Sequence, residues 1–306
     1  MNATQKPIVI VGSISMDMVA CTPRIPAVGE TVIGTSFSTT PGGKGANQSV
    51  AAARLGYPTQ MVGMVGDDAY GRPLLDALAK ASVRIEAMEP SSGSSGLAHI
   101  FLAEDGRNSI VIVQGANARV DRAHIDRHAA LIRSAGILLC QLELPLATTC
   151  CAIEMAAEAG VAVMLDPAPA APLPDSLFGK IAWFTPNETE AALYVGGNLT
   201  VEETRDKLFA KGLKGVALKR GAEGAYVAIA GGRAEWVPAF PVQAVDTVAA
   251  GDCFNGAFAV ALMEGRDPWS AARFASAAAA ICVTRRGAQA SMPGRAEVDE
   301  FLRERE

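Results

Sequence analysis

The sequence predicts an α/β fold: a mostly parallel sheet with helices on both faces, and a small β-sheet outside it. Three observations predict this. Short β-rich runs alternate with helical patterns along most of the 306 residues. Several runs are apolar without interruption, as strands covered on both faces must be. Two further β-rich segments break the alternation and have no place in the main sheet. Half the residues are hydrophobic and 19% are charged, which supplies a large core and excludes a disordered chain.

The strands are expected at 7–12 (PIVIVG), 59–65 (TQMVGMV), 136–141 (GILLCQ), 161–165 (VAVML), 181–185 (IAWFT) and 215–219 (GVALK). Helical patterns lie between them at 44–55, 70–81, 121–134, 146–159, 187–195 and 201–211. Strand then helix, repeated, argues for parallel strands joined by right-handed crossovers. Such crossovers bring the loops after the strands to one edge, where ligands bind. Of the two exceptions, residues 16–40 read as short strands with turns. Residues 97–113 read as a hairpin, LAHIFLA and NSIVIV around EDGR. Together they are expected to form a lid sheet over the active edge, entered through a flexible SSGSSG connection at 91–96. PAPAAPLP at 167–174 reads as a loop rather than an interdomain linker, so the chain is expected to form one domain over 1–306. After a hairpin, AYVAIA–GG–RAEWVP, two helices rich in small residues are expected at about 252–264 and 269–284.

Composition excludes several classes. The net charge is −5, too negative for wholesale nucleic-acid binding, which needs a strong positive field. The longest apolar stretch, FASAAAAICV, is half a membrane span, and IVIVGS is too short for a signal peptide. A soluble, cytoplasmic protein is expected. The six cysteines (Cys21, Cys140, Cys150, Cys151, Cys253 and Cys282) form no C-x-x-C pair and read as buried free thiols. The N-x-[ST] triplets at Asn2, Asn187 and Asn198 carry no meaning without secretion. His124 and His128 have a spacing that can bind metal, but Asp121, Arg122, Asp126 and Arg127 surround them. They read as a solvated helix face.

Three motifs carry chemistry. In AVDTVAAGDCFNGAFAVAL (244–262), small residues lead into a helix beginning near Asp252. Unpaired N–H groups at such a start form an anion site. A carboxylate there suits proton removal from an attacking hydroxyl, although an ordinary N-cap fits the spacing equally. In PGGKGANQSVAAARLG (41–56), Gly42, Gly43 and Gly45 allow close backbone approach before a helix. It is not a Walker A loop, because Gly45 follows Lys44, and no G-x-G-x-x-G occurs. Lys44, Asn47 and Gln48 suit several hydroxyls, or simple capping. In TPNETEAALY (185–194), Asn187 and Glu190 share the first helical turn. The pair can order water around Mg²⁺ or cap the helix.

The ordered set GSISMD, GGKGANQ, PNETE, KRGAEG, VDTVAAGD and VTRRGAQAS resembles the ribokinase branch of the PfkB sugar kinases over essentially the whole chain. The resemblance implies a three-layer α/β/α sandwich with a lid whose sheets pack as a homodimer. It implies ATP-dependent phosphorylation of D-ribose at the 5-hydroxyl. Asp252 would be the base, with the N–H groups of Ala249, Ala250 and Gly251 as anion hole. The sugar would meet Ser15, Asp17, Gly43, Lys44, Asn47 and Glu143. The nucleotide would meet Asn187, Gly251 and Ser276, with the stretch Lys219, Arg220, Gly221, Ala222, Glu223 and Gly224. Asn187 and Glu190 would place Mg²⁺ through water. A K⁺ activator would lie among Asp246, Val248, Cys282, Arg285, Gly287 and Ser291.

This sequence departs from the family pattern at three points. Ser15 stands where Asn is usual, which opens deoxyribose, another pentose or ketose, or a nucleoside as acceptor. Ala249 stands where Gly is usual. Cys253 stands where Thr or Ala is common. A sugar-responsive binding protein on a degenerate scaffold is a third possibility, against which the intact Asp252, Lys44 and Asn187/Glu190 set argues.

Overall fold

Four consecutive apolar residues with essentially no exposed surface form β1 (Ile8–Val11), and the sheet grows outward from it. The computed structural model describes residues 5–305, so Asn2 lies outside the described residues. In chain order the strands continue as β2 (Ser15–Thr22), β3 (Ser36–Gly42), β4 (Thr59–Gly66), β5 (Arg84–Ser91), β6 (Gly96–Ala103) and β7 (Asn108–Val113). The later strands are β8 (Ile137–Cys140), β9 (Ala162–Leu165), β10 (Trp183–Phe184), β11 (Gly215–Lys219), β12 (Gly224–Ile229) and β13 (Ala234–Pro238). The helices are α1 (Lys44–Arg54), α2 (Gly71–Lys80), α3 (Arg122–Arg127), α4 (Ala129–Ser134), α5 (Leu146–Glu158) and α6 (Asp175–Phe178). They continue as α7 (Glu188–Val195), α8 (Val201–Ala210), α9 (Ala250–Met263), α10 (Pro268–Val283), α11 (Ala288–Ser291) and α12 (Arg295–Arg303).

Among the described residues, nine strands form the main sheet in the order β13-β12-β11-β10-β9-β8-β1-β4-β5. All its pairings are parallel except the terminal hairpin steps β11–β12 and β12–β13. Side chains alternate between two cores, as the two-residue period of a strand requires. Ile8 and Ile10 pack with α1, α2, α9 and α10, whereas Val9 and Val11 pack with α5, α7 and α8. The result is the expected three-layer α/β/α sandwich.

The two excess β segments pair with each other into a second sheet, β3-β2-β6-β7. Its central pair, β2–β6, is parallel, and the outer pairs are antiparallel. β7 is exposed along its whole length, although it carries Ile110, Val111, Ile112 and Val113.

Several local expectations are corrected. β5 was not foreseen, because RIEAMEPS alternates charge with apolar residues, as an edge strand does. The predicted helix 121–134 is two helices, divided at His128, where the backbone leaves helical geometry. His124 is not solvated: α3 packs against α5, and the His124 side chain is fully buried beside Glu89 of β5. The 91–96 connection is held rather than free. Asp67 accepts from the Gly93 N–H at 2.7 Å, and Asp68 accepts from both the N–H and hydroxyl of Ser95. All six cysteines are free, but only Cys140, Cys253 and Cys282 are buried. No described helix is long and apolar enough to cross a membrane.

Candidate active site

The first strand lies inside the sheet, third from one edge, so β1 has β4 on one side and β8 on the other. A crevice forms beyond the carboxyl ends of strands at such a switch point. Ser13 follows β1, Gln141 and Glu143 follow β8, Asp166 follows β9, Asn187 follows β10 and Lys219 ends β11. The helix starts of α1 and α9 face the same edge.

Close packing of α1 on α9 sets the centre of the site. A Cβ at Gly256 would lie 2.6 Å from Ala51 Cβ and 2.8 Å from the Gln48 carbonyl oxygen, so only glycine permits this approach. It brings two buried amides onto Asp252. Asn47 Nδ2 donates to Asp252 Oδ2 at 3.0 Å, and Gln48 Nε2 donates to Asp252 Oδ1 at 3.1 Å. The same Gln48 nitrogen donates to Asp166 Oδ2 at 2.9 Å, while Lys219 Nζ donates to Asp166 Oδ1 at 2.9 Å. Gln141 Nε2 donates to Gln48 Oε1 at 2.8 Å, which fixes which end of the Gln48 amide faces the carboxylates. Burial pushes the Asp252 carboxyl up, with the Lys44 charge opposing. Asp252 in turn pushes the Lys44 ammonium up, helped by Asp166, Glu143 and Glu190. Lys44 is therefore the cation at the focus of four acids.

Asp252 lies in the first turn of α9, but it does not cap the helix. The N-cap is Ala249, at φ +58°, a left-handed conformation that costs a residue with a Cβ about 1–2 kcal/mol. The Ala250 N–H bonds to the Thr247 carbonyl at 3.3 Å. Among the described residues, no backbone carbonyl accepts from Ala249, Gly251 or Asp252. These are the donors open to an anion, and strain concentrated there marks a functional turn. Cys253 behind them is buried; its neighbour Cys282 and burial both push its thiol up, so it is an inert filler.

Asp17 projects from β2 on the other side of the crevice. Gly42 presses against it, since a Cβ there would fall 2.2 Å from Asp17 Oδ2. Ser15 Oγ donates to Asp17 Oδ1 at 3.0 Å, so this serine orients the carboxylate. Burial pushes the Asp17 carboxyl up to about 6; the Ser15 hydroxyl opposes, and the charges of Glu143 and Asp252 add. Gly43, at φ +88°, starts α1 with a backbone so close that a Cβ would lie 2.7 Å from Ile14 Cα. Glu143 accepts from the Lys44 N–H at 3.0 Å and from the Ser13 hydroxyl, which ties the 41–47 loop to the end of β8. Asn117 pins Ile14 from both sides, accepting from its N–H at 3.0 Å and donating to its carbonyl at 2.8 Å.

Toward the other end, a Cβ on Gly251 would meet Lys219 Nζ at 3.4 Å, so a fixed ammonium adjoins the open N–H groups. Asn187 pairs with Lys219 in an isolated parallel bridge. Asn187 and Glu190 form a capping box at 2.8 Å in both directions. Burial pushes the Glu190 carboxyl up, and Lys219 opposes this. Arg220 turns to Glu188 at 2.5 Å, while Gly221, Ala222 and Glu223 form an exposed rim ahead of Gly224. Ser276 is buried within α10, and no hydrogen bond links it to this cluster among the described residues.

The residues named for a monovalent cation also converge. Asp246 accepts from the Val248 N–H at 3.0 Å and the Gly287 N–H at 2.9 Å. The Asp246 N–H bonds to the Val283 carbonyl at 3.1 Å. Cys282 Sγ lies 3.0 Å from Ser291 Oγ, and the Arg285 N–H bonds to the Cys282 carbonyl at 3.1 Å. The sequence motifs did not single out Ser13, Asn117, Gln141 or Asp166 for the site. Their only signal was position, just past strand ends or beside the β-rich segments.

Comparison with known proteins places this arrangement. The pfkB family carbohydrate kinase model matches residues 5–295. The ribokinase of Bacillus subtilis is 45% identical over 296 residues, covering 96% of this chain and 99% of its own. The deoxyribokinase of Salmonella typhimurium is 35% identical, covering 96% and 98%. The structure of Arabidopsis thaliana ribokinase complexed with ribose and ATP superposes with a TM-score of 0.93 at 36% identity, covering 98% of this chain and 99% of that one.

Proposed function

The chain belongs to the pfkB family of carbohydrate kinases, and from that premise we propose that it transfers the γ-phosphoryl group of ATP to the 5-hydroxyl of D-ribose, giving D-ribose 5-phosphate and ADP. One observation carries the proposal. Asp252, buried and held by two amides, stands in a helix turn whose N–H donors are open, with Asp17 and Glu143 facing it across the crevice. Those two carboxylates accept hydrogen bonds from vicinal sugar hydroxyls. Asp252 takes the proton of the attacking hydroxyl, and its raised pKa brings it nearer to neutrality, where a general base works best. The open N–H groups and Lys219 stabilise charge on the transferred phosphoryl group. Closure of the small sheet over the sugar would exclude water and limit idle ATP hydrolysis.

Asn187 and Glu190 fit Mg²⁺ held through water. Their capping bonds leave carboxylate lone pairs free, and Mg²⁺ keeps most of its hydration. The ion would neutralise charge on the nucleotide phosphates. The oxygens of Asp246 and Ser291 with the carbonyls of Val248, Cys282, Arg285 and Gly287 suit a weakly hydrated K⁺ ordering the 246–252 loop. We also propose a cytoplasmic location, where ATP is abundant.

The test is ADP formation with Mg²⁺ and K⁺ over a panel of acceptors, ranked by kcat/KM. A ribose optimum is expected. An optimum on 2-deoxyribose or another acceptor would transfer the assignment to that sugar, in keeping with the short Ser15. Ribose binding without turnover would leave a sensor rather than a kinase.

The pH profile follows from Asp17. Its folded pKa of about 6 lies above the ordinary carboxylate value, so it gains a proton as pH falls through 6 and loses acceptor capacity. The kcat/KM for ribose is expected to fall about tenfold per pH unit below that point. Ser15→Ala removes a bond that favours the ionised form and moves this limb to higher pH. An unchanged limb in Asp17→Asn would rule Asp17 out as its origin.

We further propose a homodimer through the small sheet. Ile110, Val111 and Ile112 are half exposed on β7, with Phe37 and Phe101 exposed on the same sheet. Free edge strands with such side chains invite pairing. Sedimentation is expected to show a dimer, and Ile110→Glu with Ile112→Glu a monomer. A wild-type monomer at micromolar concentration contradicts it.

A further inference from the structure

We propose that Glu89, His124 and His128 form a binding site for a divalent transition metal of the zinc class, at the root of the β6–β7 hairpin and outside the active site. Glu89 lies just before the connection into β6, and the two histidines lie on the segment that follows β7. The cluster therefore joins the two chain segments through which the hairpin leaves and returns. Glu89 Oε1 is 2.9 Å from His128 Nε2, and Glu89 Oε2 is 3.3 Å from His124 Nδ1. The ligand atoms of the three residues all lie within 4.8 Å of one another. Around a tetrahedral zinc ion with bonds of about 2.0–2.1 Å, neighbouring ligand atoms sit about 3.3 Å apart. Two imidazoles and a carboxylate are a donor set for Zn²⁺ and its transition-metal relatives, not for Mg²⁺ or Ca²⁺.

A cation already stands in this triangle. Arg127 Nη2 is 2.7 Å from Glu89 Oε2 and 3.3 Å from His124 Nδ1. A neutral His124 ring that accepts this contact carries its proton on Nε2, which is buried and has no partner among the described residues. Arg127 is half exposed, and Asp121 offers it a second partner; Arg122 and Asp126 pair with each other at 3.5 Å. The metal replaces the guanidinium and ties β5 to α3, fixing the base from which the small sheet extends.

The experiment titrates the chelator-treated protein with Co²⁺ and then with Zn²⁺. One equivalent of Co²⁺ is expected to give the visible absorption of a tetrahedral site without thiolate charge transfer, and Zn²⁺ should abolish it. His128→Ala and Glu89→Gln should lose the band, and Arg127→Ala should bind more tightly. Zn²⁺ should raise the Tm of the wild type, but not of His128→Ala. Retained sugar-kinase turnover in His128→Ala shows that the fold is intact. Absence of the band, its persistence in both ligand variants, a thiolate signature placing the ion on cysteine, or weaker binding by Arg127→Ala would each overturn the proposal.

Discussion

Asp252→Asn is expected to lower kcat for ribose by about 10²–10⁴, the share that a positioned base contributes to such a transfer. The side chain keeps its shape and still accepts from one of the two amides, so the loss is chemical. KM for ATP should stay near the wild-type value, because the open N–H groups of the turn remain. Stability should not fall with activity. Burial raises the folded-state pKa of Asp252 above its unfolded value, so the ionised form carries a penalty at neutral pH that the neutral isostere escapes. The loss of attraction to Lys44 and of one amide bond offsets part of that gain. A Tm equal to or above wild type, with kcat lost, is the combined expectation; calorimetry and the ADP-coupled assay read the two. A kcat within tenfold of wild type would remove Asp252 from the role of base.

What was legible in the sequence was whatever repeats or concentrates. β1, β8, β9 and β11 are apolar runs buried on both faces, and composition alone marks them. The amphipathic and Ala-rich helices followed from their periods. β5 escaped because an edge strand covered on one face mixes Glu86 and Glu89 with Ala87 and Met88. The 91–96 run read as flexible because Ser and Gly are common in linkers. In the fold Ser95 is fully buried and bound to Asp68 and the Gly66 N–H, which no local composition reveals. The motif residues Asp252, Lys44 and Asn47 come together because each sits in the first turn of a helix facing one sheet edge, and Asp17 meets them from the start of β2 in the small sheet. Asp166 and Gln141 were invisible for a different reason. Each is a single polar residue whose partners lie far away in sequence, and only the crossing of α1 with α9 and the order of the strands makes them neighbours. His124 fails in the opposite sense: its charged neighbours suggested water, but the packing of α3 on α5, with Glu89 of β5 beside the ring, removes the water.

Gln48→Leu is expected to damage both stability and catalysis, and in a way that separates positioning from mere packing. One amide nitrogen donates to Asp252 at 3.1 Å and to Asp166 at 2.9 Å, and its oxygen is held by Gln141. Leucine fills similar volume but leaves two buried carboxylates each short of a donor, and Gln141 short of an acceptor. Hydrogen bonds to charged groups contribute about 1.5–3 kcal/mol each, so a stability loss of about 3 kcal/mol or more follows. The effect on Asp252 has a definite sign. The Gln48 bond favours the ionised carboxylate; without it the proton is held more tightly and the base is less populated at neutral pH. The acid limb of kcat at saturating ribose should therefore move to higher pH by about 1–2 units, the same energy expressed as a pKa shift. Above that limb kcat should recover toward the wild-type plateau, because Asn47 still holds the other carboxylate oxygen. A variant with lower stability, an unmoved limb and a uniformly reduced kcat would show that Gln48 serves packing alone.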